Sequence, residues 1–322
     1  MSILDATYFR DEEAAYSKLE SALWPKGTEC PHCGVVGTGV KITANPEKKV
    51  RHGLWKCADC KKQFTVTVDT IFESSHVPLH KWLQAAHLLN SSKKGISAKQ
   101  IERTLQVTYK SAWFMMHRLR EAMTPGGKLP PMGGEGRVVE ADETYLGKRD
   151  GKKSAPDTFV SGFGWQEHPK IETQRKIVSL VERGGSARSF VVDKVNKKTL
   201  RKILLDNADR KSRLMTDEHV VYPASGAHFA DHQTVNHSKY EYARGDASTN
   251  TVEGYFSIFK RGFKGIYQHC SEKHLHRYLA EYDFRYSNRE AVGVNDVART
   301  ARALVGAKGK RLTYGQPRSQ QR

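Results

Sequence analysis

Three acidic side chains in separate segments of this sequence could together bind divalent metal ions. Asp142 lies in the run "RVVEADETYLG", Asp217 in "SRLMTDEHVVY" and Glu253 in "TNTVEGYFSIFKRG". Magnesium prefers oxygen ligands, and two such ions about 4 Å apart can activate an oxygen nucleophile and neutralise charge on a phosphate. A carboxylate in the middle of a buried strand is costly unless it is paired or binds a metal. These acids are therefore candidates for a site that breaks phosphodiester bonds.

The first two acids each begin an Asp-Glu doublet, Asp142-Glu143 and Asp217-Glu218, in segments that read as strands. Neighbouring side chains of a strand point to opposite faces of a sheet, so one acid of each doublet can face a site while the other faces away. Glu140 shares a face with Asp142. The alternative is that both doublets are solvated strand ends, and for Asp217 alone the two interpretations are equally good.

The third acid lies near the start of an amphipathic helix. Apolar residues that recur at helical spacing from Val252 onward predict a helix with one buried face. Asn250 is a good N-cap, and Glu253 then falls at the N3 position of a capping box, which is the simplest explanation of this acid. Lys260 follows Glu253 by seven residues, so the two side chains share a face about 10 Å apart. The residues alone leave capping and metal binding both open.

Four of the five cysteines form two C-x2-C pairs, and these four are Cys30, Cys33, Cys57 and Cys60. The N-terminus lacks the long apolar run of a secretory signal, so disulfides are disfavoured and a metal is favoured. We predict one tetrahedral Zn²⁺ held by four thiolates, which would supply much of the folding free energy of so small a unit. The alternative is a redox C-x-x-C motif, which needs no second copy.

Residues 76–123 read as three helical segments, "LHKWLQAAHLLN", "AKQIERTL" and "KSAWFMMHRLREAM". A helix, a short turn and a further basic helix make a helix-turn-helix-like pattern. The side chains predicted to face DNA from the last helix are Lys110, His117, Arg118 and Arg120. Those predicted to point mostly inward are Trp113, Met116 and Leu119. The alternative is a helical hairpin that only packs.

The composition favours a polyanion as the partner. The formal net charge is +18 over 322 residues, and at this magnitude nucleic acid is a better explanation than solubility alone. A hydrophobic content of 38% permits a true core. No run of about 18 apolar residues predicts a transmembrane helix. We therefore expect a cytoplasmic bacterial protein that associates with the nucleoid and not with a membrane.

The Gly/Pro-rich run "TPGGKLPPMGGEG" marks the main domain boundary. The predicted parts are an N-terminal helix (1–24), a zinc ribbon (25–75), a helical DNA-binding unit (76–123), a Gly/Pro linker (124–136), an α/β domain (137–305) and a basic tail (306–322). In the α/β domain the order is three strands, a helix, a strand, a short fifth strand and a helix, which predicts a mixed sheet. The tail is expected to be a mobile arm that touches phosphates.

These pieces, in this order, resemble the zinc-ribbon insertion-sequence transposases of the ISXO-like group, within the DDE superfamily. The matching motifs are "CPHC", "CADC", "VEADETYLG", "LMTDEHVVY", "VNHS" and "TNTVEGYFSIFKRG", and they span nearly the whole chain. The resemblance implies an RNase H-like catalytic domain whose two strand aspartates are Asp142 and Asp217. It implies that Glu253 is the last acid, with Lys260 seven residues on. Some members have Asn as this last ligand, so Asn250 is the alternative.

The activity implied by the resemblance is DNA transposition. The zinc ribbon and helical unit would bind the terminal inverted repeats of the element, and the catalytic domain would cut the ends with metal-activated water and join the 3′-hydroxyl to target DNA. The three acids would hold two Mg²⁺ ions, for which Mn²⁺ can substitute, and Lys260 and Arg261 would contact DNA. A homodimer or larger assembly is expected because two ends must meet. The alternatives are an RNase H-like nuclease that does not join ends and a catalytically silent DNA-binding protein.

Overall fold

The chain divides into two compact units in a computed structural model that describes residues 3–45, 47–148, 158–160, 164–166, 174–217, 222–235 and 243–313. The first unit comprises residues 1–126 and 294–322, and the second comprises residues 127–293. The boundary at residue 126 lies inside the predicted Gly/Pro linker. The second boundary differs from the prediction, because the chain returns to the first unit at residue 294.

In the described residues the helices are α1 (Glu12–Leu23), α2 (Leu79–Ser91), α3 (Ala98–Leu105), α4 (Tyr109–Met123), α5 (Lys197–Asn207), α6 (Pro223–Gly226), α7 (Asn250–Gly262), α8 (Glu272–Ser287) and α9 (Asp296–Val305). The strands are β1 (Gly39–Lys41), β2 (Trp55–Cys57), β3 (Gln63–Phe64), β4 (Val138–Lys148), β5 (Thr158–Val160), β6 (Gly164–Gln166), β7 (Gln174–Glu182), β8 (Ala187–Val192), β9 (Arg213–Asp217), β10 (Asp231–Val235), β11 (Ala243–Arg244) and β12 (Ala247–Ser248). Of the helices described, none has the length and hydrophobicity to cross a bilayer.

The N-terminal part of the first unit is a small antiparallel sheet in the order β1-β2-β3, as the predicted ribbon requires. Its register places Gly39 opposite Cys57 and Trp55 opposite Phe64. The core of this ribbon consists of two buried cysteines and Phe64, with tryptophan side chains packed beside them. So little apolar area cannot stabilise a fold alone, which agrees with a structural metal.

The three predicted helices of residues 76–123 are present as α2, α3 and α4. Local caps fix the starts of the last two, since Ser97 accepts a hydrogen bond from the Gln100 amide and Thr108 accepts one from the Ser111 amide. Helices α2, α3 and α4 contact one another, and Trp82 of α2 is buried. The helix-turn-helix-like order of α3 and α4 is therefore seen in the structure.

Helix α9 belongs to the first unit, whereas the sequence placed it in the catalytic domain. It contacts α1, α2 and α4, and its side chains Ala303 and Leu304 are buried. Arg299 of α9 donates to the backbone oxygen of Asn90 in α2 at 2.6 Å. The amphipathic pattern of α9 could not reveal which unit its apolar face would cover, because both units offer helical surfaces.

The start of the basic tail is packed, which corrects the expectation of a mobile arm for residues 306–313. Lys308 forms an ion pair with Glu29. The Lys310 ammonium donates to the backbone oxygen of Glu121 at 3.0 Å, at the end of α4. A cation at a helix C-terminus satisfies its last carbonyls, and this explains why Lys310 is held. The rest of the predicted arm, residues 314–322, lies outside the described residues.

The second unit is built on a five-stranded mixed sheet in the order β10-β9-β4-β7-β8. β4 is central, β7 is antiparallel to it and β9 is parallel to it; β8 is antiparallel to β7, and β10 is parallel to β9. This is the RNase H-like arrangement, and the predicted fifth strand is present as β10. The second half of the predicted linker joins this unit, because the Met132 amide donates to the backbone oxygen of Asn207 at 2.7 Å.

The two faces of the sheet carry separate cores, because side chains of β4 alternate between them. Val139 and Ala141 pack on the face covered by α5. Leu146 packs on the opposite face, against α7 and α8. Residues 140 and 142 of β4 therefore face α7, and this is how the fold brings a strand acid toward the helix that carries Glu253.

Candidate active site

Asp142 and Asp217 lie side by side on the two parallel strands β4 and β9. The last paired residues of these strands are Ala141 and Thr216, so the two aspartates follow at the next register position. Neighbouring strands run about 5 Å apart, and residues at one register level of parallel strands share a face. Both carboxylates are half-buried. This placement supports the site interpretation of Asp217 over that of a solvated strand end.

Glu253 completes the acidic group from the exposed side of α7. The pKa of Asp142 is raised to about 7, first because burial disfavours its charged form, and further because the negative charges of Asp217, Glu143 and Glu253 lie close to it. The charges of Asp217 and Glu253 reach Asp142 from β9 and α7 respectively. Three acids predicted from separate segments thus share one electrostatic environment.

The second member of the first doublet points away from this group, as the strand alternation predicted. Glu143 accepts a hydrogen bond from the Tyr222 hydroxyl at 2.5 Å. Tyr222 is fully buried, and burial together with the nearby charge of Glu143 raises the pKa of its hydroxyl well above the ordinary value. Tyr222 therefore stays a donor that holds Glu143 on the opposite face. Glu218, the second acid of the doublet Asp217-Glu218, lies outside the described residues.

The predicted capping box at the start of α7 is wrong. Asn250 is the first residue of the helix and is exposed, and Thr249 occupies the N-cap position without capping through its side chain. The Thr249 hydroxyl donates instead to Glu253 Oε1 at 2.8 Å. The free amides of the first turn are bound by Glu140, which accepts from the amides of Thr251 and Val252 at 2.8 and 2.9 Å.

Glu140 is the residue of this site that sequence reasoning did not assign. Its only signal was a second acid two positions before Asp142 on the same face of the strand. A cap supplied from a distant strand leaves no pattern in the sequence around the helix that it caps.

The two basic residues predicted to contact DNA lie in the last turn of α7. Lys260 is half-exposed and Arg261 is exposed. Arg261 donates to the Ser257 hydroxyl at 2.7 Å, which orders its guanidinium along the helix. Both side chains are therefore accessible to a polyanion, and their contact with DNA stays a prediction.

The four predicted cysteine ligands converge in the ribbon. All four sulfur atoms lie within 4.8 Å of one another, and the Sγ–Sγ distances for Cys30–Cys60 and Cys33–Cys57 are both 3.7 Å. A tetrahedral zinc site with Zn–S bonds of about 2.3 Å requires sulfur atoms roughly 3.8 Å apart. The cluster therefore has the size and donor set of a structural zinc site.

Three of the four side chains predicted to face DNA from α4 are buried, which corrects that part of the prediction. His117, Arg118 and Arg120 are 2%, 5% and 2% exposed. Arg118 donates to the backbone oxygens of Ile71 and Glu73 at 2.7 and 2.9 Å, so its charge is used inside the unit. Only Lys110 of this set is exposed.

The physical reason is that α4 contacts both α3 and α9. Arg118 also donates to the backbone oxygen of Leu312 at 2.9 Å, so a segment from the far end of the chain covers this part of α4. Met116 and Leu119 point inward as predicted, and Trp113 is half-buried.

The three acids also have the donor set that a divalent oxygen-seeking metal requires. The negative charges of Asp217 and Glu253 help to raise the pKa of Asp142, and a bound cation of charge two would offset this repulsion. Asp142, Asp217 and Glu253 would be the ligands of Mg²⁺ or Mn²⁺. Glu143 would be excluded, because its carboxylate is bound to Tyr222 on the other face.

Known proteins match both units of the chain. Residues 133–287 match the ISXO2-like transposase domain, and residues 10–63 match the transposase zinc-ribbon domain. A Halobacterium salinarum protein described as an uncharacterized protein in transposable element ISH50 is 25% identical over 291 residues, which cover 86% of this chain and 91% of that protein.

Two solved structures show weaker likeness. The intasome of simian T-cell lymphotropic virus in complex with PP2A regulatory subunit B56 gamma is 14% identical, with a TM-score of 0.29; the match covers 57% of this chain and 63% of that one, less than two thirds of its length. The mariner Mos1 paired end complex with Mg is 14% identical, covers 72% of this chain and 79% of that chain, and has a TM-score of 0.25. TM-scores this low carry no argument. The domain matches do: the match to the ISXO2-like transposase domain, residues 133–287, contains all three acids, and the match to the transposase zinc-ribbon domain, residues 10–63, contains all four cysteines.

Proposed function

We propose that the protein is a DNA transposase that binds the terminal inverted repeats of its own insertion sequence, cuts the element ends and joins the 3′-hydroxyl to target DNA. The observation that supports the proposal best is the placement of Asp142 beside Asp217 on adjacent strands. The charge of Glu253 also acts on the Asp142 carboxylate and helps to raise its pKa. Three converging acids on an RNase H-like sheet suit phosphodiester chemistry, because that reaction needs charge relief at the phosphate.

The metal ions would be two Mg²⁺, and when bound they supply a nucleophile active at neutral pH and stabilise the charge that builds on the phosphate. Asp142 would hold them as a carboxylate and release its proton to solvent, because its raised pKa leaves it partly protonated near neutral pH. Lys260 and Arg261 hold the DNA backbone from the last turn of α7 as point charges. Asn250 is the alternative third ligand, and it lies one turn before Glu253 on the same helix.

DNA ends would be recognised by the first unit. The net charge of +18 favours phosphate contacts, and the exposed cations of the helix-turn-helix-like pair are Lys110 at the start of α4 and Lys99 and Arg103 of α3. The two element ends must be brought together for joining, so the active form is a homodimer or a larger assembly. Association with bacterial DNA would place the protein at the nucleoid.

The test uses purified protein, Mg²⁺, one labelled element end and a target plasmid. Joined product supports transposition. Nicks without joining would show an RNase H-like nuclease instead, and a gel shift without either product would show a catalytically silent DNA-binding protein. Omitting Mg²⁺ from the buffer is the matched control, and it should abolish both products while leaving the gel shift.

A further inference from the structure

Glu140 is a residue of β4, like Asp142, and it is fully buried, with 0% exposure. Its carboxylate lies between β4 and α7, the helix that carries Glu253. Its Oε2 accepts from the amides of Thr251 and Val252 at 2.8 and 2.9 Å. Its Oε1 accepts from the Thr251 hydroxyl at 2.8 Å. A carboxylate at a helix N-terminus satisfies free amides and is favoured by the helix dipole. Glu140 therefore binds the first turn of α7 to β4 directly.

Arg183 completes this link from the turn after β7. Its Nε donates to Glu140 Oε1 at 2.5 Å, and its other nitrogens donate to the backbone oxygens of Asp246 and Ser248 at 2.8 and 3.0 Å. The same ion pair thus holds both the start of α7 and the segment that leads into it. Because the Glu140 carboxylate is buried and makes this many hydrogen bonds, its position is fixed. The start of α7, which is bound to it, therefore has little freedom to slide along the sheet.

The helix has a local residue that could cap it, and this residue is used elsewhere. Thr249 stands at the N-cap, where a threonine usually accepts from an amide of the first turn. Here its hydroxyl donates to Glu253 Oε1 at 2.8 Å and orients that carboxylate. Glu140 performs the capping instead, so the two residues divide the tasks of placing the helix and orienting its acid.

We propose that Glu140 is a positioning residue for the metal site: its carboxylate fixes where α7 starts on β4, and so sets the distance of Glu253 from Asp142 and Asp217. The proposal rests on the proposed function, because it assumes that these three acids bind divalent metal. Glu140 and Asp142 lie on one face of one strand, two residues apart, so a shift of the helix changes the position of Glu253 relative to both strand aspartates.

The test measures Mn²⁺ binding to the full-length protein by titration calorimetry. Glu140→Gln should weaken Mn²⁺ affinity by about 10- to 100-fold, the usual effect of removing a group that orients a metal ligand. The matched control is Glu182→Gln. Glu182 is also a buried carboxylate in an ion pair, but its partner, at 2.6 Å, is Arg137 and not a residue of α7. Glu182→Gln should lower thermal stability and leave the Mn²⁺ affinity within about twofold of that of the unmodified protein.

A double mutant separates positioning from simple structural support. If Glu140 acts through Glu253, then Glu140→Gln has no further effect on Mn²⁺ affinity once Glu253→Gln is present, although its loss of thermal stability remains. Equal effects in both backgrounds would overturn the inference. Should Glu140→Gln not fold, Thr251→Val removes one of the bonds to Glu140 and should show a smaller loss with the same non-additivity.

The result for the unmodified protein distinguishes the two levels of the proposal. Tight Mn²⁺ binding that Glu140→Gln leaves unchanged contradicts the positioning role alone. No Mn²⁺ binding by the unmodified protein contradicts the metal site itself, and the positioning role falls with it.

Discussion

Asp142 and Asp217 stand at the same level of two adjacent parallel strands, immediately after the paired residues Ala141 and Thr216. The two aspartates are far apart in the sequence. They become neighbours because the chain passes through β7, β8 and α5 and returns as β9, parallel to β4. Two acids held side by side by backbone register cannot move apart to lower their repulsion. The pKa of Asp142 is raised to about 7, first by burial and further by the nearby charge of Asp217, so a cation shared by both carboxylates would offset the repulsion between them.

The identity of the third ligand is tested by two substitutions on α7. Glu253→Gln should abolish strand cleavage and keep folding and DNA binding, because a neutral amide replaces a carboxylate poorly on Mg²⁺. Asn250→Ala should keep most activity and change stability by less than about 0.5 kcal/mol, because Asn250 is exposed and Glu140 does the capping. Mg²⁺-dependent cleavage and thermal melts report the two effects. A folded, inactive Asn250→Ala beside an active Glu253→Gln would make Asn250 the ligand.

The alternation along β4 and the separation of Asp142 from Glu143 could be predicted from the sequence, because a strand has a fixed period of two. The role of Glu140 could not, because it depends on where a helix from a distant segment begins. The same limit applies to Arg118 and Arg120 of α4. They read as a basic surface, but both are buried, and Arg118 is bound by backbone oxygens of Ile71, Glu73 and Leu312, which lie far from it in the sequence.

Metal-free stability should fall as pH rises from about 4 to about 7. The pKa of Asp142 is raised to about 7 in the folded protein, so the folded state holds a proton that the unfolded chain releases near its ordinary pKa, about 4. Stability from this group is thus complete below pH 4 and is lost as pH rises through 7. Urea melts at several pH values measure it.

Asp283 also contributes to the pH dependence of stability, because burial raises its pKa to about 6. Its contribution must be separated from that of Asp142. The comparison is therefore between the unmodified protein and Asp142→Asn. The variant should show a flatter decline between pH 4 and 7. Identical pH profiles would mean that Asp142 does not hold the proton. Mn²⁺ should remove the share of the decline that comes from Asp142 in the unmodified protein and leave the profile of Asp142→Asn unchanged.

Zinc should be bound with one ion per chain. Cys57→Ser removes a ligand that is 0% exposed, so it should lose the metal and unfold the ribbon, whose remaining core is small. Elemental analysis of freshly purified protein and near-ultraviolet circular dichroism measure the two effects. Cys270→Ser is the matched control, because Cys270 is buried outside the cluster. Purified protein without zinc would contradict the site.

The corrected roles of two basic residues of α4 predict opposite results. Arg118→Ala should cost about 2 kcal/mol of stability, because it leaves the buried backbone oxygens of Ile71 and Glu73 without their donor. Lys110→Ala should leave the melting temperature unchanged and reduce the salt dependence of DNA binding by about one phosphate contact. Gel shifts over a salt series test this. A normal melting temperature for Arg118→Ala would restore its assignment to the DNA surface.

The central claim is that the face of β4 that carries Asp142 performs the chemistry, and the most direct measurement compares two neighbouring acids. Asp142→Asn and Glu143→Gln are assayed for joining of a labelled element end to a plasmid in Mg²⁺. Asp142→Asn should give no cut or joined product, whereas Glu143→Gln should join ends, since Glu143 is bound to Tyr222 on the opposite face. Joined product from Asp142→Asn at the level of the unmodified protein would contradict the account.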